Sequence, residues 1–531
     1  MGGIELVSPP STPILGRHAL TSRTRYRPSL TTLAWLVVYA GTFLVYQHEL
    51  RGASDHFTSA EQPHSLVTLN EAATSPSGAT TSCEVCHVDP TNPLCEYGLD
   101  NIRMSRAYEG SGARLRQVIR KAMAGEEIGV GVLGASVTAG HSVPAGKQRW
   151  EDRWFDDFQK VFPKAKMHVG AVAAVDSRWF SYCAFGVVPR DLDLYLVELD
   201  INNSPSLETL RDDDALMRGL LQLPQEPAVI RVSVFTVIFD ELARGAISAL
   251  ITSQFFDVPV ISIRFLLPHL IRHREAAEEV FGLDWQGGRD YRHISEVGHA
   301  AMADMLSLFV RKEVCETQRR DALPPPPAFE RTGPWPGEED LGKVPELALW
   351  SSWLRPVPLI PVTPLCQSTM SKVAPLNILS HSPTFKLVSW NDKHAWTSSL
   401  PGSQIRLKFE GTKLGLFVYA TNGRGTDERS EDEAVRRVEA PGSALCWIED
   451  ANLSEDEWVA KYGAEGAEGD APAAAQSWIV NTHMPDKPAA QPEFIELTAG
   501  LDPGEHILAC EVSAETTSGG HKWRLMGIAS L

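Results

Sequence analysis

Between residues 128 and 311 short apolar runs alternate with longer stretches of helical periodicity. Strands are expected at 128–133, 166–171, 194–199, 228–235 and 259–264. Helices are expected at 154–162, 214–223, 247–256 and, as a closing element, 297–311, with helical character also at 114–124. Runs that are apolar throughout, rather than every second residue, belong to strands covered on both faces. Alternation of such strands with helices implies a parallel sheet between two helical layers. From about residue 384 the texture changes. Short runs at 405–409, 414–419, 493–497, 506–512 and 523–528 are separated by Gly and Pro turns, the pattern of a β-sandwich or jelly roll.

The flanks divide the rest of the chain. Residues 30–46 carry no charge and include Leu33, Trp35, Leu36, Val37, Val38, Phe43, Leu44 and Val45. Arg17, Arg23, Arg25 and Arg27 precede them and Glu49 follows. Seventeen residues reach the lower end of the ~17–25 needed to span a bilayer, and the arginines place the N-terminus in the cytosol. The expectation is a single-pass type II protein of the secretory pathway or cell surface. It would have a cytosolic tail (1–29), a signal anchor (30–46) and a Ser/Thr/Pro-rich stem (47–82). Cleavage after Ala40 is the alternative. Residues 83–318 then form the α/β domain, 319–375 a linker containing Pro324 to Pro327, and 376–531 the β-domain. The polar stretch 454–475 reads as a solvated loop.

Charge and cysteines narrow the function. A net charge of -18 excludes a nucleic-acid partner, whose phosphates it would repel. All eight cysteines lie beyond the apolar segment, on the oxidising side, where disulfides form; Cys446 with Cys510 is the first pair expected, and the other pairings stay open.

The chemistry-bearing residues follow the expected strands. Gly134-Ala135-Ser136 succeeds the first, His168 to Ala174 contains the second strand's end, and Asn202-Asn203 succeeds the third. Asp290-Tyr291-Arg292-His293 precedes the closing helix. In such sheets reactive groups gather at the carboxyl ends of strands. A serine hydroxyl is a poor nucleophile until a histidine takes its proton and a carboxylate orients that histidine. Ser136, His293 and Asp290 supply the three parts, in the order Ser…Asp…His. A glycine-rich turn can aim an N–H, and an asparagine its amide, at a developing oxyanion. Gly170 is the first choice for that backbone donor, with Ala173 or Ala174 next, and Asn202 is the side-chain donor. His299 competes with His293 but falls inside the helix. Asn202-Asn203-Ser204 is also a glycan acceptor motif; no glycan is expected there, whereas Asn452-Leu453-Ser454 lies in a polar region suited to one.

Two motifs are decoys. Gly129, Gly131 and Gly134 have dinucleotide-fingerprint spacing, but they fall within the strand instead of after it. Cys83-Glu84-Val85-Cys86-His87 matches a haem-attachment or zinc pattern, but disulfides account for these cysteines more simply. No cofactor or metal is called for.

Together these blocks resemble the SGNH/GDSL hydrolases, and residues 83–315 are most similar to fungal capsule-associated-type SGNH proteins. Supporting stretches are Cys95-Glu96-Tyr97-Gly98, Ser105 to Gly112, Trp179 to Cys183 and Phe256 to Ser262. The resemblance implies a three-layer α/β/α sheet with a β-sandwich tail. It implies a triad of Ser136, Asp290 and His293, with the Ser136 N–H, Gly170 and Asn202 as oxyanion donors. The expected activity is hydrolysis of O-acyl esters, chiefly O-acetyl, on cell-wall or capsule polysaccharide. An O-acetyltransferase using the same triad and a non-catalytic carbohydrate-binding or assembly protein are the alternatives. In the last, Trp390, Trp396, Trp447, Trp478 and Trp523 would be the sugar platforms. The chain departs from the family pattern where Gly-Ala-Ser replaces Gly-Asp-Ser, where Asn202-Asn203 replaces Asn-Asp, and where the second block lacks its usual Asn.

Overall fold

Two hydrophobic cores lie on opposite faces of one sheet in the computed structural model. The structure describes residues 82–531 except 239–241, 243–246, 285, 324–332, 357–358, 360–363, 424–439, 450–475 and 488. The expected tail, anchor and nearly all of the stem, like Asn452, lie outside the described residues. Among the described residues no helix is long and apolar enough to cross a membrane.

Strands β1 (Arg106–Tyr108), β2 (Gly129–Gly134), β3 (Lys166–Ala171), β4 (Leu194–Glu198), β5 (Ala228–Ser233) and β6 (Val260–Ser262) form a sheet in the order β1-β6-β5-β4-β2-β3. β2 to β6 are mutually parallel. β1, which the apolar pattern did not show, adds an antiparallel edge against β6. Alternate residues of β2, β4 and β5 enter opposite cores. Val130, Leu194 and Ile230 face one and Leu133, Tyr195 and Val229 the other. The first core is closed by helices α1 (Ala113–Met123), α2 (Trp150–Val161) and α6 (Glu296–Ala322) through Ile119, Trp154 and Phe309. The second is closed by α3 (Ser177–Cys183) and α4 (Leu207–Leu221) through Trp179, Phe180 and Met217. Another helix, α5 (Ile247–Phe256), also packs beside α4. The three-layer α/β/α arrangement is therefore present.

Local chemistry sets the helix ends. Ser295 accepts from Val297 N–H (3.1 Å) and Gly298 N–H (3.4 Å) and starts α6; Ser206 accepts from Thr209 N–H (3.1 Å) and starts α4. α6 runs 27 residues, well past the expected end at 311. Its polar second half is held by the Cys83–Cys315 disulfide and by Arg120–Asp321 at 2.9 Å. A short hairpin, β7 (Phe281–Leu283) with β8 (Arg289–Ile294), leads into α6.

The second part is an antiparallel sandwich. One sheet has the order β10-β13-β18-β15-β16 and the other β11-β12-β19-β14-β17. The first comprises β10 (Ile378–His381), β13 (Gln404–Glu410), β15 (Ser443–Glu449), β16 (Ser477–Asn481) and β18 (Glu505–Val512). The second comprises β11 (Lys386–Trp390), β12 (Lys393–Ser398), β14 (Leu414–Ala420), β17 (Gln491–Thr498) and β19 (Trp523–Ser530), with β9 (Leu365–Ser368) added against β19. Ile405, Leu416, Leu508 and Leu525 meet between the sheets. Trp523 belongs to this interior, Trp447 is buried, and Trp390 packs edge-on against Tyr419 at 5.0 Å. None of the five tryptophans that the carbohydrate-binding alternative would use is exposed.

The two parts share a core. Ala395, Phe417, Tyr419 and Met526 of the sandwich join Trp179 and Phe180 of α3, and Tyr182 stacks on Phe494 at 4.9 Å. The Cys183–Cys366 disulfide ties α3 to β9. Cys446 pairs with Cys510 as expected, and Cys86 with Cys95. Cys83 and Cys86 thus belong to different disulfides, and neither offers a thiolate to haem or zinc. The three glycines of the fingerprint spacing all lie inside β2.

Candidate active site

β2 and β4 are neighbours in the sheet, yet the chain leaves β2 for β3 on one side before returning to β4 on the other. The carboxyl ends of β2 and β4 therefore flank the switch point where α/β sheets open a crevice. Ser136 lies two residues beyond the end of β2 and Asn202 four beyond the end of β4.

The turn carrying Ser136 is tight. Ala139 N–H donates to Ala135 O (2.9 Å) and His141 N–H to Ser136 O (3.0 Å). A Cβ on Gly134 would lie 1.9 Å from Thr138 Oγ1, so only glycine lets the chain fold back this closely. Thr138 in turn donates to Glu198 Oε2 from its hydroxyl (3.0 Å) and its N–H (3.3 Å). Glu198 is fully buried, and burial pushes its carboxyl up to about 8 despite these donors. At neutral pH it is mainly protonated.

Asp290, Ser136 and His293, 157 residues apart at the extremes, meet in one hydrogen-bonded chain. His293 Nε2 lies 2.8 Å from Ser136 Oγ, and its Nδ1 lies 2.5 Å from Asp290 Oδ2. Ser136 and His293 are each 8% exposed, sheltered but within reach of the surface. Burial raises the Asp290 carboxyl, but the His293 hydrogen bond and charge, the Arg292 N–H and the Ser142 hydroxyl outweigh it. The net result is a carboxyl held far below the usual range. Ser142 Oγ donates to Oδ2 at 3.0 Å, and Arg292 N–H to Oδ1 at 2.9 Å. With Asp290 ionised, Nδ1 carries the imidazole proton and Nε2 is left as the acceptor for the serine O–H.

His299 is excluded as the base. It is completely buried in α6, and its Nδ1 accepts from Trp150 N–H at 3.0 Å. Burial, then Arg149 and His293, push its imidazole down to about 3.

The expected oxyanion donors divide. Among the described residues Ser136 N–H donates to no protein acceptor, and neither does the side-chain amide of the half-buried Asn202. Asn203, its buried neighbour, is fully engaged. Its Oδ1 accepts from Ser177 N–H (3.0 Å) and its Nδ2 donates to Ser177 Oγ (2.8 Å), fastening this loop to the start of α3. Gly170 requires a correction. It sits inside β3 opposite Leu133. The ladder runs from Lys166 N–H to Ile128 O (2.9 Å) to Val172 N–H to Gly134 O (2.9 Å). That alternation turns the Gly170 N–H into the sheet as well, where no oxyanion can reach it. Ala173 and Ala174 follow the strand end, and Ala174 reverses the chain with φ 65°.

Two residues at this mouth escaped the sequence reading. The His141 ring meets the His293 ring edge-on at 5.1 Å, and its Nε2 lies 3.3 Å from Asp392 Oδ2 in the sandwich. His141 stands in the same block as Ser136, which was a signal; nothing in the sequence ties it to Asp392.

No protein-family model and no curated protein matches the chain. Among solved structures it is similar to a two-domain esterase (CEX) active on acetylated mannans. With mannopentaose bound, that esterase aligns at TM-score 0.52 and 16% identity, covering 81% of this chain and 97% of that one. Without the ligand the values are 0.51, 15%, 81% and 98%. At these identities the likeness is one of fold: an α/β unit built on a parallel sheet, followed by an antiparallel sandwich.

Proposed function

We propose that this chain is a serine esterase of the SGNH type that removes O-acetyl groups from a polysaccharide. The observation that carries the reading is the continuous hydrogen-bonded chain from Ser136 through His293 to an ionised Asp290. The esterase of similar fold acts on acetylated mannans, which supports an acetylated glycan as substrate. Disulfides and the sequence at 30–46 support a lumenal or extracellular catalytic part held at a membrane by one N-terminal helix.

In this mechanism His293 Nε2 takes the Ser136 proton as Oγ attacks the acetyl carbonyl carbon. The carbonyl oxygen becomes an oxyanion, which the Ser136 N–H and the Asn202 amide stabilise. The imidazolium, steadied by Asp290, returns its proton to the departing sugar oxygen, leaving an acetyl ester on Ser136. Water then enters, gives its proton to His293 and attacks the acyl carbon. Collapse expels Ser136 Oγ, which recovers the proton, and acetic acid departs as acetate. The test is acetate release from acetylated mannan oligosaccharides by the purified full chain and by Ser136→Ala. Release by the first and not the second is expected; equal, negligible release by both contradicts the reading.

A further inference from the structure

β11 and β12 meet at Asn391-Asp392, both with left-handed backbone (φ 43° and 61°). Asn and Asp tolerate this region better than other side-chain-bearing residues, and two such residues in succession give the turn whose twist suits a tight hairpin. The hairpin base is fixed: β12 pairs with β19, and Lys393 Nζ donates to Ala490 O at 2.7 Å. The sandwich thus holds the Asp392 carboxylate out on a rigid support.

That carboxylate reaches a histidine that packs against His293. Asp392 Oδ2 lies 3.3 Å from His141 Nε2, and the His141 ring touches that of His293. The Asp392 side chain is 71% exposed and that of His141 28%. An exposed pair of this kind adds little to stability, so holding the fold together does not explain it. The His141 backbone N–H closes the nucleophile turn on Ser136 O, so its position follows that of the nucleophile. Burial, then His293, lowers the His141 imidazole, which outweighs the pull of Asp392 and keeps the ring neutral beside the base. A solvent-facing carboxylate that takes the one N–H of a neutral imidazole leaves its own oxygens and the imidazole Nδ1 as acceptors suited to hydroxyl groups. The pair thus stands one ring away from His293.

We infer that His141 and Asp392 bind hydroxyls of the sugar residue that carries the ester, so that the sandwich supplies part of the substrate site. The inference rests on the esterase reading and adds to it how the alcohol part of the substrate is recognised.

The test compares wild type, Asp392→Asn and His141→Gln in the full chain. Asparagine keeps the size and the left-handed backbone of the turn. The readout is the ratio of kcat/KM for acetylated mannan oligosaccharides to kcat/KM for 4-nitrophenyl acetate, which has no sugar. That ratio is expected to fall about tenfold or more in Asp392→Asn, as loss of a charged hydrogen-bond acceptor implies. A ratio within about twofold of wild type, because both substrates suffer equally or neither does, overturns the inference. Calorimetric binding of the same oligosaccharides to Ser136→Ala, with and without Asp392→Asn, reads the pair without turnover. A weaker Kd in the double variant supports the pair, and an unchanged Kd or no binding overturns it. If wild type releases no acetate, the esterase reading fails, while the Kd comparison still decides on the pair.

Discussion

The α/β domain holds two sets of carboxyl and imidazole groups, and their contrast explains why one is suited to chemistry. Asp290 and His293 lie in line with Ser136, partly open to water, with every polar atom of the Asp290 carboxylate matched to a donor. Glu198, Glu151 and His299 lie deeper. Burial raises both glutamates to about 8 and lowers His299 to about 3. Arg149 Nε lies 3.1 Å from Glu151 Oε1, an ion-pair contact without hydrogen-bond geometry, and burial outweighs it. The deep set is therefore held neutral, whereas Asp290 in the outer set keeps its charge. Donor supply and access to water separate them, not residue type.

The largest effect expected is on the outer set. Ser136→Ala should lower acetate release by ~10⁴-fold or more, measured against acetylated mannan oligosaccharides. Asp290→Asn, which leaves the shape but not the charge, should come close to it; a loss of only a few-fold would remove the outer set's claim to distinction. Asn202→Ala should lower kcat by ~10²–10³-fold with little change in KM, since an oxyanion donor acts in the transition state.

The deep set should answer in stability. Glu198 has a folded pKa of about 8 against 4.5 unfolded, so its contribution is full below pH 4.5 and is lost as pH rises through 8. Glu198→Gln should flatten the fall in urea midpoint between pH 5 and pH 8. A wild-type-like slope would mean that the carboxyl is not held neutral. Removing the Cys183–Cys366 link by a double Ser substitution should lower unfolding stability by about 2–4 kcal/mol, read from the same midpoints.

The same division governs what was legible in sequence. The sheet showed itself because β2, β4 and β5 are apolar on both faces. Ser136, Asp290 and His293 could be picked out as candidates because they sit at a strand end and before a helix cap, which are local features. α3 is only 7 residues and carried no readable period. β11 is exposed along most of its length and so lacks alternation. A glycine near a strand end suggests a turn, yet at Gly170 the ladder runs on to Val172, which no local pattern reveals. The approach of Asp392 to His141 spans 251 residues and depends on how the sandwich packs, which no local pattern records.

The most direct test of the account is intact-mass analysis after exposure to a fluorophosphonate, which labels a serine only when its hydroxyl is activated. The account predicts a single adduct, on Ser136, in the wild type and its loss in His293→Ala. No adduct in the wild type, an adduct elsewhere, or equal labelling of His293→Ala would contradict it.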